Sequence, residues 1–162
     1  MAEINARNIH RSNMLMDYAY GENFKYSEMA MAKSGMAARL AAGGMGIFAG
    51  TLMTPPTRAL MKSFVLPKPG EGPNKEARDA GFYDIRFFGK TDNGEVVRAK
   101  VKGDKDPGYG STSKMIGESA VALAKDVSKA SVPGGVMTTA PAMGEVLINR
   151  LVANAGLTFE IL

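Results

Sequence analysis

Two stretches on either side of a short turn decide the fold: residues 82–89 read FYDIRFFG and residues 95–103 read EVVRAKVKG. Apolar and charged side chains alternate in both, which is typical of strands with one covered and one solvated face. The connecting residues 91–94, TDNG, favour a tight turn. The alternating apolar set is Tyr83, Ile85, Phe87, Val97, Ala99 and Val101. We therefore predict an antiparallel hairpin whose basic row, Arg98, Lys100 and Lys102, is a solvated strand face.

Patterns on either side of the hairpin complete an α+β fold, with a mostly antiparallel sheet covered by helices and an apolar helical segment in the N-terminal third. Further strands are predicted near Val136 and near Phe159, and an additional strand is considered for residues 14–20. Asn74 is placed to cap a short helix that Gly81 ends. A longer helix follows the hairpin, and its predicted buried face consists of Met115, Ile116, Ala120, Leu123, Ala124 and Val127.

The composition bounds the chemistry that the chain can perform. Of its 162 residues, 45% are hydrophobic and 22% charged, as expected for a single globular domain over residues 1–162. There is no cysteine and the only histidine is His10, which excludes cysteine nucleophiles and disfavours serine–histidine triads and metal clusters. We predict no metal site. Residues 67–73, PKPGEGP, are typical of an internal linker.

The N-terminal third combines apolar character with positive charge. No acidic residue occurs between Glu28 and Glu71, while five basic residues give this segment a charge of +5. These are Lys33, Arg39, Arg58, Lys62 and Lys68. The apolar run at residues 40–53 is shorter than the roughly 20 residues that a spanning helix needs, so we do not predict a membrane crossing. Three alternatives stay open for residues 36–53: a buried helix, a helix packed against a partner, or a helix that dips into a membrane surface.

Four residues of this segment are candidates for contact with a partner or a membrane. Gly46 and Gly50 form a small-xxx-small pair, which allows close helix approach. A second helix is predicted to begin after Thr54, and on it Arg58 and Lys62 share a face opposite apolar side chains. A basic amphipathic helix directly after an apolar one is typical of an interfacial membrane anchor. No signal-peptide pattern is present, so we expect a cytoplasmic location, with membrane association as the alternative.

The most site-like chemistry lies in residues 103–115, GDKDPGYGSTSKM, a glycine-rich loop that leads into a helix. Helix N-terminal amides can hold a phosphate or a carboxylate. The candidate substrate- or anion-binding residues are Asp106, Gly108, Gly110, Thr112 and Lys114. Tyr109 is a candidate proton donor. The equally weighted alternative is a well-capped strand-to-helix turn, in which Asp106 stabilises the turn before Pro107.

Neither a dinucleotide site nor a nucleic-acid site is predicted in this chain. The nearest match to a GxGxxG fingerprint is GMGIFAG at residues 44–50, but no strand precedes it and no acidic residue follows until Glu71. The net charge of +4 is modest, and basic residues are not interleaved with aromatic ones, which argues against a nucleic-acid partner.

Several motifs occur in a fixed order along nearly the whole chain. They are RSNMLMDYAYGENFKYSE at residues 11–28, TPPTRALMKSFVLPKPGEGPNKEARDAGF at 54–82, GDKDPGYGSTSKMIGESAVALA at 103–124, PGGVMTTAPAMGEVLINRL at 133–151 and LTFEIL at 157–162. In this order they resemble the C-terminal part of the saccharopine dehydrogenase-like oxidoreductases, a family that includes trans-acting enoyl reductases.

The resemblance implies a two-part enzyme, in which an N-terminal Rossmann domain binds NAD(P) and a C-terminal α+β domain supplies the substrate side and the contact of a homodimer. The first part is absent from this sequence, so we expect the chain alone to hold no cofactor and to be inactive. The leading hypothesis is the substrate-side and oligomerisation domain of an NAD(P)-dependent oxidoreductase that acts on an acyl or lipid-like substrate. The alternative is a non-catalytic membrane-surface or protein-interaction module.

Overall fold

The structure is a computed structural model that describes residues 2–68, 70–130, 132 and 134–162. Its elements fall into two units: a sheet unit, Met1–Tyr26 with Asn74–Leu162, and a helical unit, Ser27–Pro73. The described residues of the predicted linker, residues 67–73, carry no helix or strand, and Pro69 lies outside the described residues. The organisation of residues 1–162 as one domain stays a prediction.

The sheet confirms the α+β class. It has three antiparallel strands in the order β1-β2-β3, namely β1 Tyr83–Lys90, β2 Val96–Gly103 and β3 Leu157–Ile161. Ile85 of β1 pairs with Val101 of β2, which pairs with Phe159 of β3. The alternating apolar residues therefore share one face, because residues directly opposite each other in a ladder point to the same side. The hairpin and the last strand near Phe159 are confirmed.

Six α-helices accompany the sheet in the described residues. They are α1 Ala2–Leu15, α2 Gly35–Met53, α3 Pro55–Phe64, α4 Lys75–Ala80, α5 Gly110–Val121 and α6 Thr139–Asn154, with a π-helical turn at Ala122–Asp126 that continues α5. The short helix α4 begins as predicted, because the Asn74 side chain accepts a hydrogen bond of 2.8 Å from the Ala77 amide. Within α6, Gly144 has a φ of 46° and a ψ of −128°, so the helix is divided there by a kink.

The core lies where α5 and α6 cover one end of the sheet. Its buried apolar residues are Ala122, Ala142, Met143, Leu147, Leu151, Ala155 and Leu157. The predicted buried face of α5 is partly wrong: Met115 packs against the core, but Ile116 is 69% exposed and Leu123 is 52% exposed. The buried side runs instead through Ser111, Met115 and Ala122. These residues are four and seven positions apart, so they lie on one face of the helix.

The additional strand considered for residues 14–20 is wrong. Helix α1 continues to Leu15, and Asp17 and Tyr18 then have φ values of 54° and 57°, which a strand cannot contain. Asn13, which is 3% exposed, holds this turn: its side chain donates to the Gly21 carbonyl at 2.9 Å and accepts from the Tyr20 amide at 2.8 Å. A single buried amide therefore fixes the chain reversal.

The predicted strand near Val136 is also wrong. Val136 lies in a bend and is 84% exposed, and its carbonyl accepts a hydrogen bond of 2.8 Å from the Arg11 guanidinium. The backbone here is bound by a side chain of α1 and not by a neighbouring strand. The prediction extended over residues 132–139, of which Pro133 lies outside the described residues.

Candidate functional site

The loop between β2 and α5 folds around one carboxylate. We name residues 104–114 the Asp106 loop, which includes the first turn of α5. The Asp106 side chain accepts hydrogen bonds from the amides of Gly108 at 3.0 Å, Tyr109 at 3.0 Å and Gly110 at 2.5 Å. Gly110 has no room for a side chain, since an added Cβ would lie 2.7 Å from the Asp106 carboxylate. The carboxylate thus occupies the position where an external anion was predicted.

These amides also set the charge state of Asp106. The hydrogen bond from the Tyr109 amide, together with those from Gly110 and Gly108, holds the pKa of the Asp106 carboxyl below its ordinary value, while desolvation acts in the opposite direction. Hydrogen bonds to a carboxylate favour its ionised form. Asp106 is therefore an anion at neutral pH and compensates the positive end of α5.

The remaining candidate binding residues also have partners inside the chain. The Thr112 hydroxyl donates to the Pro107 carbonyl at 2.7 Å. The Lys114 ammonium lies 3.1 Å from the Asp104 carboxylate and 3.3 Å from the Ala155 carbonyl. The structure therefore places all five predicted residues in one loop, but their contacts within the described chain are those of a capped strand-to-helix turn. Their role in binding a substrate stays a prediction.

Tyr109 differs from its neighbours in the Asp106 loop because its side chain projects outward. It is 56% exposed, and its hydroxyl makes no hydrogen bond to the described part of the chain. A phenol held on a rigid turn can donate a hydrogen bond or a proton to a molecule bound beside it. The role of Tyr109 as a proton donor stays a prediction.

A hydroxyl pair that joins the Asp106 loop to β1 was missed by the sequence analysis. Ser111 is fully buried, and its hydroxyl lies 2.9 Å from that of Tyr83 on β1. The Tyr83 ring lies directly over Gly103, its partner in the ladder, where a Cβ would collide with the ring. The signal in the sequence was the glycine at the end of β2, since an aromatic side chain can cover a glycine opposite it.

The other side of the loop is tied to α4. The Asp106 amide donates to the Arg78 carbonyl at 3.1 Å, and Lys105 pairs with Asp79 at 2.5 Å. This hydrogen bond raises the pKa of Lys105 and lowers the pKa of Asp79. The close contact between the end of α4 and the loop also requires glycine at position 81, because a Cβ added there would lie 2.6 Å from the Asp106 backbone. The loop is therefore held by β1, α4 and α5 together.

A cleft lies between α1 and the beginning of α6. This cleft has a volume of about 460 Å³ and is lined by Asn8, Ile9, Ser12, Tyr20, Met137, Thr138, Thr139 and Ala140. At its floor, the Ser12 and Thr138 hydroxyls lie 2.7 Å apart. The sequence analysis did not find this cleft, because its two walls are 126 residues apart in the chain.

The candidate contact residues Gly46, Gly50, Arg58 and Lys62 all lie in the helical unit, on α2 and α3. A Cβ added at Gly46 or Gly50 would meet nothing within 4 Å. The close helix approach that this pair allows is therefore not made within the described chain. Helix α2 has 19 residues and not the 14 of the apolar run, because Ser34 caps it and it begins at Gly35. By length and composition it could cross a membrane, which corrects the expectation that it is too short.

The described residues contain no group of three or more histidine, cysteine, aspartate or glutamate side chains that could hold a metal ion. The sheet unit is thus an α+β arrangement in which the Asp106 loop joins β2 to α5.

Curated proteins that are similar to this chain are named trans-acting enoyl reductases. The one from Mycobacterium ulcerans is 39% identical over 155 residues, which cover 91% of this chain and 36% of that protein. The one from Mycobacterium bovis is 37% identical over 158 residues, which cover 93% of this chain and 37% of that protein. A Mycobacterium tuberculosis protein, named as a candidate trans-acting enoyl reductase, is 40% identical over 166 aligned positions, which cover 99% of this chain and 39% of that protein.

The chain therefore spans less than two fifths of the length of these curated relatives, which fits one domain of an oxidoreductase. No protein-family model matches the chain, so the saccharopine dehydrogenase-like family stays a prediction. No solved structure matches the chain either.

Proposed function

We propose that this chain is the substrate-side and oligomerisation domain of an NAD(P)-dependent oxidoreductase of the trans-acting enoyl reductase type. The observation that carries the proposal is 37–40% identity to such enzymes over 91–99% of the chain. Identity at this level along a whole domain supports a shared role for that domain, although a fold by itself does not define an activity. The saccharopine dehydrogenase-like family and an acyl or lipid-like substrate belong to this proposal.

The nearest match to a dinucleotide fingerprint, at residues 44–50, does not fit a dinucleotide. The glycines at residues 44–50 lie within the exposed helix α2, and no strand precedes them, whereas a dinucleotide fingerprint needs a strand, a tight turn and a helix N-terminus. The proposal therefore assigns NAD(P) to a Rossmann domain of the same enzyme, outside this chain. An enoyl reductase adds a hydride and a proton across a carbon–carbon double bond, and only the proton is a matter for the residues described here.

The Asp106 loop is the part of the chain that we assign to the substrate. The Asp106 carboxylate completes the turn, so the loop needs no ligand to form it. From this turn the exposed Tyr109 hydroxyl can hydrogen-bond the carbonyl of an enoyl thioester or deliver the proton. Asp106, Thr112 and Lys114 act as positioning residues, since their contacts hold the loop and not a ligand.

We assign the contact between the two copies of the homodimer to the end of the sheet that α5 and α6 leave uncovered. Apolar side chains from all three strands remain exposed on that face: Ile85 47%, Phe87 42%, Val97 53%, Phe159 39% and Ile161 86%. A contiguous apolar surface of this kind is typical of an interface. Sedimentation of Phe87→Glu against the parent chain tests this part: the proposal expects a dimer that the substitution converts to a monomer.

The catalytic part is tested in a hybrid enzyme, in which this chain replaces the matching segment of the Mycobacterium ulcerans relative. Oxidation of NADH or NADPH is followed with an enoyl thioester as substrate. We expect turnover by the hybrid, and we expect Tyr109→Phe to lower turnover by more than about tenfold, because it removes the hydroxyl and little else.

Tyr18→Phe is the matched control, since this tyrosine is also exposed but lies outside the Asp106 loop. The assignment of Tyr109 is wrong if both variants keep turnover and apparent substrate affinity within about threefold of the parent hybrid. A threefold change corresponds to less than about 1 kcal/mol of transition-state stabilisation. Thr112→Ala and Lys114→Ala should lower thermal stability more than turnover if these residues only position the loop.

A further inference from the structure

Helix α2 of the helical unit is apolar and uncovered. It contains one charged residue, Arg39, near its beginning, and none of its 19 residues is buried. Its exposed side chains include Leu40 at 69%, Met45 at 68% and Met53 at 81%. Single exposed apolar residues are ordinary, but a whole helix of them needs a cover.

The exposed residues lie on all sides of α2. Successive helix residues are rotated by about 100°, so Met45 lies about 140° around the axis from Leu40, and Met53 lies about 140° from Leu40 in the other direction. A groove on a protein partner covers one side of a helix, as does a second copy packed alongside. A helix that is apolar all round is typical of one surrounded by a protein core or by lipid.

One backbone carbonyl that is freed where α2 ends, that of Thr51, is bonded within the helical unit. The Thr51 hydroxyl donates to the Phe48 carbonyl at 2.7 Å, and the Thr57 hydroxyl donates to the Thr51 carbonyl. The Thr54 and Thr57 hydroxyls lie 2.5 Å apart. The Thr51 carbonyl is freed at the helix break, since Pro55 has no amide hydrogen to donate to it. The Thr57 hydroxyl supplies the hydrogen bond that water could not supply in a non-aqueous surrounding.

The charges of the helical unit are of one sign over a long stretch. Between Glu28 and Glu71 there are five basic residues and no acidic one. On α3, Arg58 and Lys62 are one turn apart, while Leu60 is 59% exposed and Phe64 is 81% exposed on another side. Apolar surface bordered by basic side chains is complementary to an anionic lipid surface.

From these observations we propose that α2 and α3 insert into one leaflet of an anionic membrane, independently of the enoyl reductase function. The chain enters and leaves the helical unit from the same sheet unit, because residues before Ser27 and after Pro73 belong to it. Helix α2, about 28 Å long, could reach across a hydrocarbon core, but α3, about 15 Å long, could not return. Both helices therefore stay in the leaflet that they enter, with Arg39, Arg58 and Lys62 at the headgroups.

The absence of native cysteine makes a direct test possible with the full chain. Met45→Cys carries an environment-sensitive fluorophore, and Asn93→Cys, in the turn between β1 and β2, is the matched control. We expect vesicles of phosphatidylcholine with about one third phosphatidylglycerol to shift the Met45→Cys emission to the blue and to make it quenchable by spin-labelled lipid, with no change at Asn93→Cys. No shift at Met45→Cys overturns the proposal. A blue-shifted emission before lipid is added also overturns it, because protein would then cover α2.

The one-leaflet arrangement is tested with Met31→Cys and Gly72→Cys, which flank the two helices. Added to the outside of vesicles that carry the bound protein, a membrane-impermeant maleimide should label both positions at equal rates. Protection of either position would mean that the chain crosses the membrane, and the one-leaflet proposal would be wrong.

Charge dependence is tested by reversing two charges in each of two places. Arg58→Glu with Lys62→Glu should weaken binding to anionic vesicles at low salt by more than about tenfold, since each basic residue near the surface contributes to the attraction. Lys125→Glu with Lys129→Glu makes the same change in net charge outside the helical unit and should alter binding by less than about threefold. Equal effects of the two pairs would overturn the assignment of the headgroup contact.

Discussion

Replacing Gly103 by alanine should destabilise the sheet unit strongly, although the change adds only one methyl group. The new Cβ would collide with the Tyr83 ring, which lies over Gly103. If the ring moves away, the fully buried Ser111 loses the hydroxyl partner that lies at 2.9 Å. Overpacking costs roughly 1–3 kcal/mol, and a buried polar group without its partner costs about 1–3 kcal/mol. We therefore expect Gly103→Ala to lower the free energy of unfolding by about 2–6 kcal/mol.

Gly89→Ala is the matched control, because Gly89 lies in β1 of the same sheet and an added Cβ would be no closer than 3.8 Å to any neighbour. Urea unfolding followed by circular dichroism gives both free energies. We expect the control to stay within about 1 kcal/mol of the parent. In the Gly103→Ala background, Tyr83→Ala should cost less than it does alone, since residues in contact are coupled. Equal stabilities of Gly103→Ala and Gly89→Ala would refute the steric argument.

Three further measurements address the Asp106 loop and the cofactor. Because the pKa of Asp106 is lowered in the folded state, its contribution to stability is complete above the ordinary aspartate pKa of about 3.9 and is lost as the pH falls through the lowered value. Asp106→Asn should therefore destabilise the chain at pH 7, and the difference in urea midpoint from the parent chain should shrink below about pH 4. Asp92→Asn, which removes a carboxylate from the exposed turn between β1 and β2, is the control for the change in charge. Gly156→Ala should cost more stability than Gly94→Ala, because both glycines have a positive φ but only Gly156 is pressed against Asp104, and equal thermal shifts would contradict this. Fluorescence titration of the chain with NADH and NADPH should show no saturable micromolar binding, and saturation by either would reveal a missed site.

The parts of the fold that depend on neighbouring residues could be predicted from the sequence. The alternation of apolar and charged residues predicts the two strands of the hairpin. Asn74 caps α4 by accepting a hydrogen bond from the Ala77 amide, only three residues along the chain. Helix α1 was not predicted, because its sequence is polar and its position depends on contacts such as Ser12 with Thr138. The buried face of α5 was misplaced for the same reason: Ile116 is apolar, but no element covers that side.

The candidate site shows a different limit. The residue types of the Asp106 loop suit an anion site and a capped turn equally well. Only the three-dimensional structure shows that the Asp106 carboxylate accepts from the amides of Gly108, Tyr109 and Gly110. The pair of Tyr83 and Gly103 was within reach of prediction, since the hairpin register alone puts these residues opposite each other. The Ser111 hydroxyl completes the arrangement from another element, which no local pattern contains.

The kink at Gly144 has a consequence far from its own position. A φ of 46° with a ψ of −128° is a conformation that glycine adopts and other residues avoid, so any other residue there would favour a straight α6. Straightening would swing the first turn of α6, and with it Thr138, which holds Ser12 of α1. The position of α1 therefore depends on the φ and ψ of Gly144, which lies more than a hundred residues away in the chain. Substitution of Gly144 could therefore change the shape of the cleft beside α1 without a substitution at any residue that lines the cleft.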